Sequence, residues 1–228
     1  MSSSARIMSV DRAFPRSLSP GSRLARFGFA YDVSKRMLDI VGATVALVLT
    51  SPLLVVIAIA IRTTSPGPAL FRQRRLGRGG VEFWCYKFRT MIVNAEQLLE
   101  SDEQLRDRFR ESYKLKDDPR TTAVGGWLRK TSLDELPQLF NILAGTMSLI
   151  GPRPIVPPER DKYHGFADKL LSVKPGLGGY WQAYGRSNTT YEQRIEMDMN
   201  YVDRRSLRLD LKLLLLTALV AIKRQGAY

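Results

Sequence analysis

One cysteine and one histidine in 228 residues remove several chemistries at once. Cys85 alone forms no internal disulfide and no cysteine-rich metal site. His164 alone builds neither a histidine-ligated zinc centre nor a Ser-His-Asp triad, which draw on several convergent groups, and it reads as a surface or loop residue. Acid–base work therefore falls to carboxylates, lysine, tyrosine or water. Acidic residues are also in deficit. Against 35 Lys and Arg stand 22 Asp and Glu, a net charge of +13, which implies an anionic partner: nucleic acid, anionic lipid or a phosphorylated substrate. Nucleic acid fits poorly, because aromatics do not interleave with a basic stripe and no groove-reading motif is present. No internal repeat appears.

What the chain does have is an apolar run of 22 residues, Ile40 to Ile61, interrupted only by Gly42, Thr44, Thr50, Ser51 and Pro52. It is long enough to cross a bilayer as a straight helix. Seven bases precede it (Arg6, Arg12, Arg16, Arg23, Arg26, Lys35, Arg36) and seven follow (Arg62, Arg72, Arg74, Arg75, Arg78, Lys87, Arg89). The positive-inside rule would hold both flanks in the cytoplasm. A proline removes a helix hydrogen bond and bends the rod, so a kink at Ser51-Pro52 would let the helix dip into one leaflet and return. A re-entrant helix is the expectation, with a Pro-kinked span as the alternative. A signal peptide would need an n-region of 36 residues or more, far beyond the usual length. The second apolar stretch, Leu211 to Ile222, has Lys212 within it and Lys223-Arg224 after it; it is too short to span and reads as a core or interfacial helix.

Three regions follow: a basic flexible tail over 1–30, a membrane-anchoring helix over 31–62, and a domain over 63–228. Ser65-Pro66-Gly67-Pro68 is a stiff turn. Ala69–Leu76 and Val81–Phe88 have strand character and are joined by Gly77-Arg78-Gly79-Gly80, which predicts a hairpin. Asn94–Lys116 predicts a charged helix with Leu98, Leu99, Leu105 and Phe109 as a sparse apolar face. Lys174 to Trp181 is glycine-rich, and Thr189-x-x-Glu192 predicts a capped helix ending near Arg205. The fold class is α+β, mostly helical with a small hairpin.

Chemistry concentrates between Thr131 and Pro154. Asp134 and Glu135 sit just before Pro137, which a helix tolerates only in its first turn. Both acids are therefore expected at a helix N-terminus, where unpaired N–H groups and the dipole favour carboxylates and bound phosphate. An ionised Asp where a phosphate docks is a candidate nucleophile, and its neighbour can hold a hard divalent cation shared with phosphate oxygens. The competing reading is structural: Ser132 and Glu135 match the S-x-x-E capping box. The functional reading gains from Gly151-Pro152-Arg153-Pro154, where two prolines fix the backbone around a guanidinium suited to phosphate.

At these residues the chain resembles the bacterial sugar transferases, the monotopic polyprenyl-phosphate phosphoglycosyl transferases. The likeness runs from about Lys35 to Tyr228. It rests on Lys35-Arg36-x-x-Asp39, Ser51-Pro52, Thr64–Pro68, Lys87-Phe88-Arg89-Thr90-Met91, Ser132–Gln138, Met147–Pro154, Lys174-Pro175-Gly176, Gly185-Arg186 and Tyr201-Val202. The overall form is most similar to the short galactosyl- or glucosyl-phosphate transferases of exopolysaccharide synthesis, down to Gly226-Ala227-Tyr228; larger relatives carry extra N-terminal membrane helices for which this chain has no room.

The resemblance implies that Asp134 attacks the β-phosphate of a UDP-sugar, expels UMP, and passes the phosphosugar to polyprenyl (undecaprenyl) phosphate. It implies Mg²⁺ held by Glu135 with Asp134, a phosphate contact from Arg153, and nucleotide or acceptor phosphate contacts from Lys87, Arg89, Arg129 and Arg186. It also implies anchorage to membrane lipids at the cytoplasmic face of a bacterial inner membrane, and leaves a homo-oligomer open. Trp127, Trp181 and Tyr180 are read as core or interfacial anchors rather than uracil-stacking groups. Gly178 departs from the Thr more usual in Pro-Gly-Leu-Thr-Gly, which puts any role of that hydroxyl in doubt. The reading from a different class is a non-catalytic basic membrane adaptor, which accounts for charge and anchor but not for the Asp134-Glu135 and Arg153 constellation.

Overall fold

The computed structural model describes residues 28–112, 115, 118–185 and 189–222. The expected basic tail falls almost entirely on residues 1–27, and Arg186 and the closing Gly226-Ala227-Tyr228 also lie outside the described residues.

The apolar run belongs to α1, Phe29–Thr64, a 36-residue helix that continues through Pro52 as one element. Ser51 explains part of that tolerance. Pro52 offers no N–H to the carbonyl four residues back, Val48, and the Ser51 hydroxyl donates to that same carbonyl at 2.9 Å. Only Asp39, Ala43, Ile57 and Ile61 of α1 are buried. Val41, Val45, Val48, Leu49, Val55, Val56 and Ile59 are exposed, an apolar surface long enough to cross a membrane.

The sequence motif Lys35-Arg36-x-x-Asp39 turns out to be the dock for this helix. Asp39 accepts from the Ser148 hydroxyl and the Leu149 N–H, both at 2.9 Å. Arg36 donates to the carbonyls of Ile142 and Leu143 at 2.6 and 2.8 Å. Those carbonyls close helix α5, Gln138–Leu143, so a cation sits where a helix end is negative. Lys35 pairs at 3.1 Å with Asp210, fully buried in α8, Leu207–Ile222. Tyr31 and Tyr201 also donate to Asp210, at 3.0 and 2.8 Å. Further along, Ile57 and Ile61 pack with Phe88 and Leu128.

The hairpin forms as its alternating sequence predicts: β1, Leu70–Leu76, pairs antiparallel with β2, Glu82–Phe88. Its free edge is occupied by α5. Asn141 accepts from the Tyr86 N–H at 3.0 Å and donates to the Trp84 carbonyl at 2.6 Å, standing in for a third strand. A second, parallel pair joins β3, Ser148–Ile150, to β4, Gly176–Gly178, and brings the Gly151–Pro154 element beside the Pro175-Gly176 turn. The approach is so close that a Cβ on Gly176 would strike the Gly151 backbone, which only glycine avoids. The main core lies between these parts: Ala43, Phe83, Cys85, Leu139, Ile142, Met147, Leu149, Ile150, Tyr201 and Leu213.

Two local expectations are corrected. The charged helix over 94–116 is broken into α2, Ala95–Ser101, and α3, Glu103–Ser112. Asp102 is extended between them and accepts from the Leu105 N–H at 2.9 Å, an N-terminal cap that starts a new helix. The later capping box is one residue on: Thr190 and Gln193 exchange bonds ahead of α7, Tyr191–Arg204. The 4-residue helix α6, Ala167–Leu170, and α4, Ala123–Thr131, complete the fold. His164 is exposed, as its lone occurrence suggested.

Candidate active site

Asp134 and Glu135 do not cap a helix. Ser132, the would-be cap, ends α4 with φ 58°, a left-handed backbone uncommon outside glycine, and its side chain makes no capping bond. That reversal throws Leu133–Glu135 into a short 3-10 turn ahead of α5. Freed from capping, Glu135 reaches across to the hairpin, where Lys87 Nζ lies 2.6 Å from its Oε1.

Strand alternation puts Phe71, Gln73 and Arg75 of β1 on the same side as Phe83, Cys85 and Lys87 of β2. That side, the acidic turn and the Pro-flanked arginine flank a narrow, solvent-open cleft. It is lined by Arg75, Lys87, Glu135, Gln138, Arg153 and Gln182, with Cys85, Pro154, Gly176 and Leu177 completing it. Asp134, the chain neighbour of Glu135, feels the charges of Lys87 and of Arg129.

The two acids are pushed apart. Burial raises the Asp134 carboxyl to about 6; Lys87 and Arg129 work against that rise and the like charge of Glu135 adds to it. Burial also acts to raise Glu135, but Lys87, Arg153 and Arg75 outweigh it and hold that carboxyl well below its usual range. Separated protonation behaviour in adjacent acids assigns them different tasks. Glu135 is a fixed anion, whereas Asp134 is more basic and remains mostly ionised at neutral pH.

Arg153 is held from three directions. Its ring partner Trp181 has its centroid 4.9 Å from the guanidinium carbon, and the guanidinium of Arg194 also lies over that ring at 5.5 Å. The Arg153 backbone bonds to Asp198, and the Pro154 carbonyl next along accepts from Arg75 at 2.9 Å. Trp181 is thus a platform for an arginine; its indole N–H is occupied by Thr189 at 2.9 Å.

The structure divides the five basic residues singled out from sequence. Lys87 and Arg153 line the cleft. Arg129 bonds to Thr90 at 3.0 Å and acts on Asp134 through charge. Arg89 turns the other way: buried, it donates to the Ser65 hydroxyl and carbonyl and to the Pro66 carbonyl at 2.6 to 3.1 Å, clamping the turn after α1. It lies just past the end of β2, and its terminal nitrogens are committed to that turn rather than to the cleft. Arg186 is outside the described residues.

Gly178 also faces away from the cleft: a Cβ there would meet Thr217 of α8 at 2.9 Å. A hydroxyl at 178 would address α8. Sequence reading missed Arg75, Gln138 and Gln182. Strand parity with Lys87 was the available signal for Arg75, and the other two carried none.

Among the described residues no group of three or more His, Cys, Asp or Glu could close around a metal. Asp134 and Glu135 suit a hard cation that takes the rest of its shell from water and phosphate oxygens, as Mg²⁺ does.

The family model for bacterial sugar transferases matches residues 30–224. An undecaprenyl-phosphate galactose phosphotransferase of Salmonella typhimurium is 46% identical over 198 residues, 85% of this chain and 41% of that protein. A UDP-glucose:undecaprenyl-phosphate glucose-1-phosphate transferase of Xanthomonas campestris pv. campestris is 38% identical over 206 residues, 87% of this chain and 40% of its own. The exopolysaccharide production protein ExoY of Sinorhizobium fredii is 40% identical over 200 residues, covering 86% of this chain and 88% of that one. The chain therefore spans about two fifths of the first two relatives and nearly all of the third.

Proposed function

Because the chain belongs to the bacterial sugar transferase family, we propose that it moves a hexose 1-phosphate from a UDP-sugar to undecaprenyl phosphate and so begins a surface glycan such as an exopolysaccharide. The observation that carries this is the pairing of Asp134, raised in basicity, with Glu135 tied to Lys87, beside a cleft that also holds Arg153. Phosphoryl transfer requires positioning and charge neutralisation more than elaborate acid–base chemistry.

An Asp134 oxygen attacks the β-phosphorus, the bond from that phosphorus to the bridging oxygen breaks, and UMP departs with the bridging oxygen. A phosphate oxygen of the lipid then attacks the aspartyl-bound phosphorus, and the carboxylate is released unchanged. No net proton is needed, which suits a cleft without histidine. Arg153, held on Trp181, neutralises phosphate oxygens; Lys87 holds Glu135 and restrains the rise in Asp134. Mg²⁺, held by Glu135 and Asp134, would supply charge neutralisation on the diphosphate. A non-catalytic adaptor would have no use for two half-buried acids set at different basicities.

The two ends of α1 favour a re-entrant anchor. Asp39 and Ala43 bind the same body of protein as Ile57 and Ile61 do. A helix crossing the bilayer would carry one of those ends to the far side. Placement at the cytoplasmic face of the inner membrane, where UDP-sugars are made, follows from this reading.

The test is a single-turnover reaction without acceptor. Protein in lipid nanodiscs, given Mg²⁺ and UDP-sugar labelled in its β-phosphate, should release UMP and keep the label on Asp134. Adding undecaprenyl phosphate should discharge it. Transfer that requires both substrates together, with no labelled protein at any time, would demote Asp134 to a base or metal ligand.

A further inference from the structure

Arg75 is the charged cleft residue that the proposed mechanism leaves unused. It sits on β1 on the Lys87 side of the hairpin, and its side chain is 12% exposed. Both terminal nitrogens are engaged: one donates to the Pro154 carbonyl at 2.9 Å, the other to Gln73 Oε1 at 2.6 Å. Its acid, Glu159, stands at 3.7 Å from the nitrogen already bonded to Pro154. The third nitrogen, Nε, is buried and its N–H has no hydrogen-bond partner among the described residues.

Leaving a charged donor unused is costly in a protein interior. The surroundings make it more so. Three cations line the cleft, and Glu135, the acid there, is taken by Lys87. Burial and then the like charge of Arg153 both weigh against the Arg75 cation, enough to lower its pKa to about 10. A residue needed only to brace Pro154 would use one nitrogen. Two guanidiniums facing one cleft, whose carboxylate Glu135 is hydrogen-bonded to Lys87, match the bidentate, multiply charged oxygens of a phosphate.

We infer that Arg75 is a phosphate-binding residue, donating its Nε–H to a phosphate oxygen that Arg153 engages from the other side. The inference rests on the phosphosugar-transfer reading above and adds to it a ligand group that motif comparison did not supply. The phosphate is either the diphosphate of the sugar nucleotide or the monophosphate of the lipid acceptor.

The experiment uses the full chain in nanodiscs and the variant Arg75→Gln. UDP and uridine affinities are measured by calorimetry, and discharge of the preformed labelled adduct by undecaprenyl phosphate is timed separately. Hydrogen bonds to charged groups suggest a loss of roughly tenfold or more. Weaker UDP binding with uridine unchanged assigns the contact to the donor; a slower discharge with UDP unchanged assigns it to the acceptor. Wild-type behaviour in both arms, or an equal loss for uridine, would overturn the inference. Arg75→Lys, which keeps the charge but loses the fork, should recover only part of the affinity. If neither variant folds, wild-type protein labelled with ¹⁵N at arginine Nε decides. UDP or undecaprenyl phosphate must then shift an Nε–H signal other than the one lost in Arg153→Gln, and the absence of such a shift refutes the contact. Wild type that fails to release UMP at all would instead strike the underlying functional reading.

Discussion

Asp134→Asn should stop turnover and make the protein more stable at the same time. In the folded state the carboxyl titrates at about 6 against an ordinary 3.8, chiefly because it is buried beside Glu135. A raised pKa means that the folded state prefers the protonated form. That stability is fully present below the unfolded value and is lost as pH rises through about 6. Two pH units correspond to roughly 3 kcal/mol at about 1.4 kcal/mol per unit. Partial access to water at the cleft mouth brings the expectation down to about 1–3 kcal/mol. Asparagine keeps the shape and carries no charge, so it escapes this cost. Thermal unfolding of wild type and variant in nanodiscs, at pH 4 and pH 8, reads the difference. The variant should melt a few degrees higher at pH 8 and nearly level at pH 4, since about 1 kcal/mol moves the midpoint of a domain this size by about 2–4 °C. A variant that melts lower at pH 8, or shows the same difference at both pH values, would refute the idea that the site stores charge strain in Asp134. UMP release at a wild-type rate would refute its role as nucleophile.

Other consequences are equally open to measurement. Lys87→Gln removes the cation that holds both acids down, so the acidic limb of the rate–pH profile should move up by about one unit or more; an unmoved limb would mean that Lys87 does not act through Asp134. Gly178→Thr should destabilise by about 1–3 kcal/mol through contact with Thr217 and Ile150, and Thr217→Ala should restore part of it, as read by melting temperature in the single and double variants. Single cysteines at positions 20 and 100, in a Cys85→Ser background, should both label from the cytoplasmic side; labelling of position 20 from the opposite side would establish a spanning α1.

Sequence alone determined the parts governed by short-range rules. The 22-residue apolar run, the alternation of Leu70–Leu76 and Glu82–Phe88, and the glycines between the strands each specify an element locally, and each formed. The lone cysteine and histidine restricted the chemistry, and the ordered motifs brought out Asp134, Glu135, Lys87 and Arg153 before any contact was known. Tertiary structure decided what those residues touch. The capping box read from Ser132 and Glu135 failed because a left-handed Ser132 turned the chain, and a lysine 48 residues earlier offered Glu135 a charged partner. Arg89 and Lys87, two apart in the chain, were indistinguishable as basic motif residues until the end of β2 at Phe88 left Arg89 to the turn after α1 and Lys87 to the cleft. Arg75 was hidden in the run of bases read as flanking charge; its value depends on Pro154, Gln73 and Arg153, which meet it only when β1 packs against the Gly151–Pro154 element. Local periodicity carries information about conformation, whereas burial and charge pairing arise from residues far apart in the chain.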